Sequence, residues 1–141
     1  MIARLVTDLA RRLLTWALAS VLIGVVLLVA GDDFWRGFGL QAALWGLIDA
    51  LIALVALRSA RRDGTAGEDA RATRIRRILW LNAGLDLAYI AIGAGLVAIA
   101  GDANPFLAGN GWGIAVQGGF LLVFDVVHAM RVPMPGAASR A

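Results

Sequence analysis

Four apolar segments, each long enough to cross a lipid bilayer, make up most of this chain. A spanning helix needs about 20 residues for ~30 Å of hydrocarbon. In 141 residues with 60% hydrophobic side chains, so much apolar sequence exceeds what a soluble domain of this size buries. The segments are 13–30, 38–57, 78–100 and 113–132. We therefore predict an all-α fold, a four-transmembrane-helix bundle of two antiparallel hairpins, in a single membrane domain over residues 1–132.

Arginine placement predicts the orientation. All thirteen basic residues are arginines, and only Arg36 lies in the 31–37 or 101–112 connection; the others flank the first and fourth segments or lie in 58–77. Cytoplasmic loops carry the excess of basic residues. We predict a multi-pass membrane protein with both termini and the 58–77 loop cytoplasmic. Anionic lipid headgroups are the expected contacts of Arg58, Arg61, Arg62, Arg74, Arg76 and Arg77.

The connections have distinct compositions. The 58–77 loop is rich in arginine, and its centre at 63–69 is predicted to be a flexible tip. The 101–112 connection contains Asn104-Pro105 and Gly109-Asn110-Gly111, which favour turns. Residues 133–141 contain two prolines after the fourth segment and are predicted to be a flexible tail.

Three aspartates, Asp49, Asp86 and Asp125, interrupt three of the apolar segments. Each costs about 2.5–3.5 kcal/mol at the centre of a membrane helix. Other polar residues precede or follow them at helical spacing, so each of these helices has one polar stripe, which a bundle turns inward. The predicted polar core, and the candidate ion or proton site, consists of Asp49, Asp86, Asp125, His128, Asn82, Tyr89, Gln41 and Gln117.

Counting ~1.5 Å per residue from the segment midpoints predicts three layers in this core. The three carboxylates and Ser20 fall in a central layer, the two glutamines in an outer layer, and Asn82 with His128 in an inner layer. Three buried carboxylates cannot all be ionised without compensation, so they hold protons or a cation. His128 follows Asp125 by three residues, which favours an ion pair or hydrogen bond between them.

Two functions fit such a core. The leading interpretation is a non-enzymatic protein whose polar core fixes helix packing, acting alone, as a homo-oligomer or as a subunit or assembly partner of another membrane protein. The alternative is a proton- or cation-translocating channel or transporter that uses Asp49, Asp86 and Asp125. An enzyme acting on lipid ranks third, because no nucleophile accompanies the acid–base pair that His128 and an aspartate would form.

Several other classes lack support. Without cysteine there is no thiol chemistry, cysteine zinc site or iron–sulfur cluster. Nucleotide-binding and metalloprotease motifs are absent. A single histidine, His128, is weak support for haem or chlorophyll. We therefore predict no catalytic residue, no metal, no cofactor and no nucleic-acid partner. The small multidrug transporters use a glutamate in their first span, whereas residues 13–30 contain no carboxylate.

The second and fourth segments share a Gln-x7-Asp pattern, from Gln41 to Asp49 and from Gln117 to Asp125. Both segments are predicted to cross the membrane in the same direction. Duplication of a helical hairpin would produce this match, and so would the coincidence of two polar positions. The sequence leaves both explanations open.

Three motifs carry a resemblance to a known family. They are Phe34-Trp35-x2-Phe38-x2-Gln41-x3-Trp45-Gly46-x2-Asp49, Trp80-x-Asn82-x3-Asp86-x2-Tyr89, and Gly111-x-Gly113-x3-Gln117-Gly118-x-Phe120-Leu121-Leu122-x2-Phe124-Asp125. Over residues 33–131 the chain resembles an uncharacterised family of small bacterial four-helix membrane proteins, a domain of unknown function. The resemblance implies the four-helix fold and a location in the bacterial inner (cytoplasmic) membrane, but no activity. Family members tend toward amides on the second-segment stripe, so Asp49 is a departure whose role the resemblance does not supply.

Overall fold

Helices account for nearly all of the described chain. The computed structural model describes residues 2–62 and 67–134. Within these residues there are four α-helices and no strands. They are α1 (Ile2–Ala30), α2 (Asp33–Arg62), α3 (Glu68–Ala100) and α4 (Pro105–Arg131). Each is long and apolar enough to cross a membrane. The prediction of an all-α fold with four such helices is confirmed.

Helix α1 packs antiparallel to α2 along a line of small residues. A Cβ added at Gly24 would lie 2.5 Å from the nitrogen of Ala43, and one added at Gly46 would lie 2.7 Å from the oxygen of Ala17. Residue numbers fall along one helix as they rise along the other, so the two run in opposite directions. Such glycines allow backbones to approach without intervening side chains.

Helix α4 contacts two neighbours. It is antiparallel to α3, because Gly93 meets Gly111 while Gly118, further along α4, meets Asp86, earlier in α3. Against α2 it runs in parallel, since Gly109 lies against the oxygen of Phe34 and Gly113 lies further along beside Gln41. The bundle therefore has a loop end, where 31–32 and 101–104 connect the helices, and a terminus end, where α1 begins and α4 ends.

The helix boundaries correct the predicted connections. Pro105 occupies the first turn of α4, and the Asn104 side chain accepts a hydrogen bond from the backbone N–H of Leu107 at 3.0 Å. This cap starts α4 at residue 105, so the turn predicted at 109–111 is wrong. Residues 33–37 belong to α2, and Glu68 and Asp69 form the first turn of α3. Of the flexible tip, 63–66 lies outside the described residues, as does 135–141 of the predicted tail.

The bundle is apolar outside and polar inside. Val29 and Ile99 are each 79% exposed, whereas Asp49 is 2% exposed. Water would favour the opposite distribution, and hydrocarbon favours this one. At the terminus end, an apolar cluster joins α1, α3 and α4, with Ile2, Leu79 and Ala129 among its buried members.

Two glycines of α3, one packed against α4 and one without a neighbour, provide a test of the helix packing and its control. We expect Gly93→Ala to lower the free energy of unfolding by about 1–3 kcal/mol through overpacking, because its Cβ would lie 2.5 Å from the oxygen of Gly111. Gly95→Ala, which meets nothing within 4 Å, should be neutral or stabilising. Unfolding of the detergent-solubilised protein by a denaturing detergent, followed by circular dichroism, measures both. Equal effects of the two substitutions would contradict this packing.

Candidate functional site

The predicted polar stripes face the interior of the bundle. Asp49, Asp86 and Asp125 are 2%, 3% and 6% exposed, and Gln117 and His128 are also buried. Gln41, Asn82, Tyr89 and Trp45 are half-buried. The helical periodicity therefore gave the correct face for α2, α3 and α4.

The three carboxylates interact but occupy two levels. Asp86 packs beside Gly118, while Gln41 packs beside Gly113. Helices α2 and α4 are parallel, and Gln41 lies beside Gly113. About two turns further along both helices, Asp49 is therefore level with residue 121, and Asp125 lies about one helical turn nearer the terminus end. Each carboxylate still acts electrostatically on another, as Asp49 and Asp125 both do with Asp86. One turn is about 5.4 Å, which is compatible with the predicted central layer of carboxylates.

Gln117 connects α4 to α1. Its side-chain oxygen accepts a hydrogen bond from Trp16 Nε1 at 3.0 Å, and its nitrogen donates to Ser20 Oγ at 3.2 Å. Ser20 therefore bonds with Gln117, while Gly118, the next residue of α4, lies against the oxygen of Asp86. The Trp16 ring also stacks on Phe120, with centroids 3.6 Å apart and planes 9° apart. Trp16 was missed because tryptophan near a segment end suggests an interfacial anchor.

Gln41 connects α2 to α4 nearer the loop end. Its Nε2 donates to Asn110 Oδ1 at 2.7 Å, and Asn110 Nδ2 donates to the oxygen of Phe106 at 2.9 Å. Gln41 and Gln117 therefore have separate partners, and their predicted common layer is wrong. Asn110 was missed because its glycine neighbours suggested a turn. The available signal was spacing, since Asn110 precedes Gln117 by seven residues, which is two turns on one helix face.

The carboxylates are satisfied less completely than the amides. Asp49 Oδ2 and Asp86 Oδ2 are buried and have no hydrogen-bond partner among the described residues. The Asn82 side chain, in contrast, is placed to interact with the Asp125 carboxyl group. A buried polar atom without a partner costs about 1–3 kcal/mol. A proton or a bound cation would remove part of that cost at Asp49 and Asp86.

An aromatic pair lies beside these carboxylates on the side of the loop end. Trp45 and Tyr89 meet edge to face, with ring centroids 4.8 Å apart and planes 68° apart. Trp45 is one turn before Asp49 in α2, and Tyr89 is one turn after Asp86 in the antiparallel α3. The pair therefore packs across α2 and α3 between the aspartates and the loop end.

His128 lies on the opposite side of the carboxylates, toward the terminus end. Its Nδ1 is 2.6 Å from the oxygen of Phe124, and its ring lies 4.1 Å from the Phe124 ring. A carbonyl oxygen only accepts, so Nδ1 carries the hydrogen of this bond. The contact with Phe124 takes the place that a bond from Nδ1 to Asp125 would occupy. The ring also lines a cavity of about 280 Å³ between α1 and α4.

The remaining predicted site residues are the arginines. Arg58, Arg74 and Arg77 are exposed near the terminus end, and Arg76 is half-buried. The side chains of Arg61 and Arg62 lie outside what the structure describes. In the described part of the chain, no three His, Asp or Glu side chains are grouped so that they could hold a metal ion.

Sequence comparison connects this architecture to a family. Residues 12–126 match DUF6992, a family of unknown function. The chain belongs to this family. The resemblance to an uncharacterised family is thus confirmed, although the match starts within α1 and not at residue 33 as expected. It includes all three aspartates and ends before His128. No curated protein and no solved structure matches this DUF6992 chain significantly.

The Trp16–Gln117 bond gives the second test, a double-mutant cycle with Trp16→Phe and Gln117→Leu. We expect a coupling energy of about 0.5–1.7 kcal/mol, the range for interhelical hydrogen bonds in membrane proteins. Unfolding free energies of the four proteins give this value. Thr15→Val combined with Gln117→Leu is the control, because Thr15 Oγ1 donates to Arg11 within its own helix. Coupling as large in the control would show that Gln117 acts on α1 through packing alone.

Proposed function

We propose that this DUF6992 protein is a non-enzymatic, four-pass membrane protein in which an amide network fixes helix packing. The observation that carries the proposal is the contrast between the hydrogen bonds of two glutamine side chains inside the bundle and the apolar side chains on its surface. Gln117 and Gln41 join α4 to α1 and to α2 inside the bundle, while long apolar side chains cover the outside. In hydrocarbon, an interhelical hydrogen bond holds helices in one register because lipid offers no other partner.

The side-chain hydroxyls support a non-enzymatic role. Thr7, Thr15 and Thr73 each donate to the backbone oxygen four residues earlier, and Ser20 accepts from Gln117. A nucleophilic hydroxyl needs a neighbouring base that takes its proton. These four hydroxyls serve helix structure and packing.

We also propose that the protein lies in a bacterial inner membrane and that both of its termini are on the cytoplasmic side. Arg58, Arg74 and Arg77 are exposed toward the terminus end, as the positive-inside rule requires of the cytoplasmic side. Trp35 and Trp112, near the loop end, are 46% and 50% exposed, which suits the opposite interface.

Partners follow from the same surfaces. The exposed arginines favour anionic lipid headgroups as contacts at the cytoplasmic face. Within the bilayer, the exposed apolar faces would meet lipid, a second copy of the chain or another membrane protein. The amide network would then provide a rigid unit for such an assembly.

A second candidate is proton or cation translocation through Asp49, Asp86 and Asp125. The unpartnered oxygens of Asp49 and Asp86 favour it. Buried groups that serve packing alone are expected to be hydrogen-bonded across the helices, as Gln41 and Gln117 are, because each unmet bond weakens the fold. A buried carboxylate that keeps an oxygen free is instead suited to bind something that comes and goes.

Single cysteines test the topology cleanly, because the chain contains none. We expect Asp33→Cys and Asp102→Cys to react with an impermeant maleimide in intact spheroplasts, since both lie at the loop end. Asp69→Cys and Met134→Cys, at the terminus end, should react only after permeabilisation. All four positions are exposed. The reverse pattern would overturn the proposed orientation, and labelling of all four in intact cells would overturn the four-pass topology.

Flux measurements distinguish the two candidate functions. For the second candidate, purified protein in liposomes should carry protons or cations along a pH gradient, and Asp49→Asn and Asp86→Asn should abolish the flux while remaining folded. Asp102→Asn, at the exposed loop end, is the matched control and should keep the flux. If neither the wild-type protein nor any variant carries more flux than empty liposomes, and all variants are as stable as wild type, translocation is refuted. The packing function then remains.

A further inference from the structure

We infer that the cavity between α1 and α4 admits protons to the aspartate core from the terminus end, and that His128 transfers them to Asp125. This inference rests on the second candidate function and names its substrate and its route. It draws on four features: the cavity, the orientation of His128, the order of the carboxylates and the packing on their other side.

The cavity offers room and charge for water. Its volume of about 280 Å³ is lined by Leu5, Asp8, Leu9, Arg12, His128 and Arg131. Liquid water takes about 30 Å³ per molecule, so several molecules fit. Asp8, Arg12 and Arg131 are exposed, which places the mouth of the cavity at the aqueous boundary, whereas His128 is 8% exposed at its inner wall.

His128 is oriented for transfer at one nitrogen. Because Nδ1 donates to the oxygen of Phe124 at 2.6 Å, the neutral ring presents Nε2 as its free acceptor. Contact with the Phe124 ring holds this orientation. Nε2 can therefore take a proton from a hydronium ion in the cavity: one O–H bond breaks, an N–H bond forms, and a neutral water molecule remains. The ring then gives a proton to the Asp125 carboxylate and returns to neutral imidazole.

The carboxylates continue inward from His128. Asp125 is one turn earlier on α4, and the Asn82 side chain from α3 is placed to interact with it. Asp86 and Asp49 follow about one turn further toward the loop end, each with an unpartnered oxygen. The charged groups that line the cavity with His128 are Asp8 and Arg12 of α1 and Arg131 of α4.

The far side of the core is closed by packing. Trp45 and Tyr89 meet edge to face beside Asp49 and Asp86. The Trp16–Gln117–Ser20 bonds lie between α1 and α4 at the level of Asp86, since Gly118 lies against the oxygen of Asp86. The cavity of about 390 Å³ at the loop end is lined by residues such as Val97, Asp102 and Trp112. None of the three aspartates lines either cavity, but the one at the terminus end reaches His128, one turn from Asp125, so the proposed access is from that end.

The core suits a proton better than a metal ion. No three acidic or histidine side chains of the described residues are placed to coordinate a metal together. A proton needs only one oxygen, and Asp49 and Asp86 each have one without a partner. A protonated carboxyl group also removes a charge from the low-dielectric interior.

The experiment is a pH jump on the full-length protein in lipid nanodiscs, followed by the infrared carbonyl stretch of protonated carboxyl groups. Asp49→Asn, Asp86→Asn and Asp125→Asn assign the signal to the core. We expect His128→Ala to slow the appearance of this signal by about 10²-fold, the low end for general acid–base groups. Added imidazole should restore the rate, which a purely structural role would not allow. Asp102→Asn should protonate at the wild-type rate.

A second variant tests the route with the histidine present. Leu5→Trp fills the cavity and should also slow protonation, but imidazole should not restore it. Equal rates in wild type, His128→Ala and Leu5→Trp would overturn the route while leaving the proton-binding core intact. A wild-type protein whose core carboxyls show no protonation signal at any pH would instead refute the second candidate function itself.

Discussion

The close parallel contact between α2 and α4 fixes where the polar side chains of the core meet. Gly37 lies against the oxygen of Phe106, and Gly109 lies against the oxygen of Phe34. With no side chain between the backbones, the two helices cannot slide past each other without collision. The register that results places Gln41 beside Asn110 and places Asp125 a turn beyond Asp49. Glycine positions thus determine which polar groups become partners.

Amides and carboxylates respond differently to this register. An amide carries both donors and acceptors, so Gln117 can accept from Trp16 and donate to Ser20 at once. An ionised carboxylate only accepts, and no donor of the described residues reaches Asp49 Oδ2 or Asp86 Oδ2. This chemistry separates the hydrogen-bonded amide network from the carboxylates that have unpartnered oxygens.

Much of the fold was predictable because membrane helices are constrained by length and polarity. Apolar length predicted four helices, and helical spacing predicted the buried faces of Asp49, Asp86 and Asp125. Depth was not predictable, since it depends on glycine contacts between helices that no single segment records. Gln41 illustrates the error, because counting from segment midpoints placed it level with Gln117, whereas it lies beside Gly113, about one turn away. The start of α4 was missed because Pro105 reads equally as a turn former and as a first helical residue.

The Gln-x7-Asp repeat shows how far equal sequence patterns can diverge in a packed bundle. Gln41 bonds to Asn110 across the parallel α2–α4 contact, while Gln117 bonds to Trp16 and Ser20 of α1. Asp49 has an unpartnered oxygen, while the Asn82 side chain is placed to interact with Asp125. The two matching segments therefore differ in partner, helix and level. A buried polar group acquires its role from what it faces, so an equal sequence pattern does not predict an equal role.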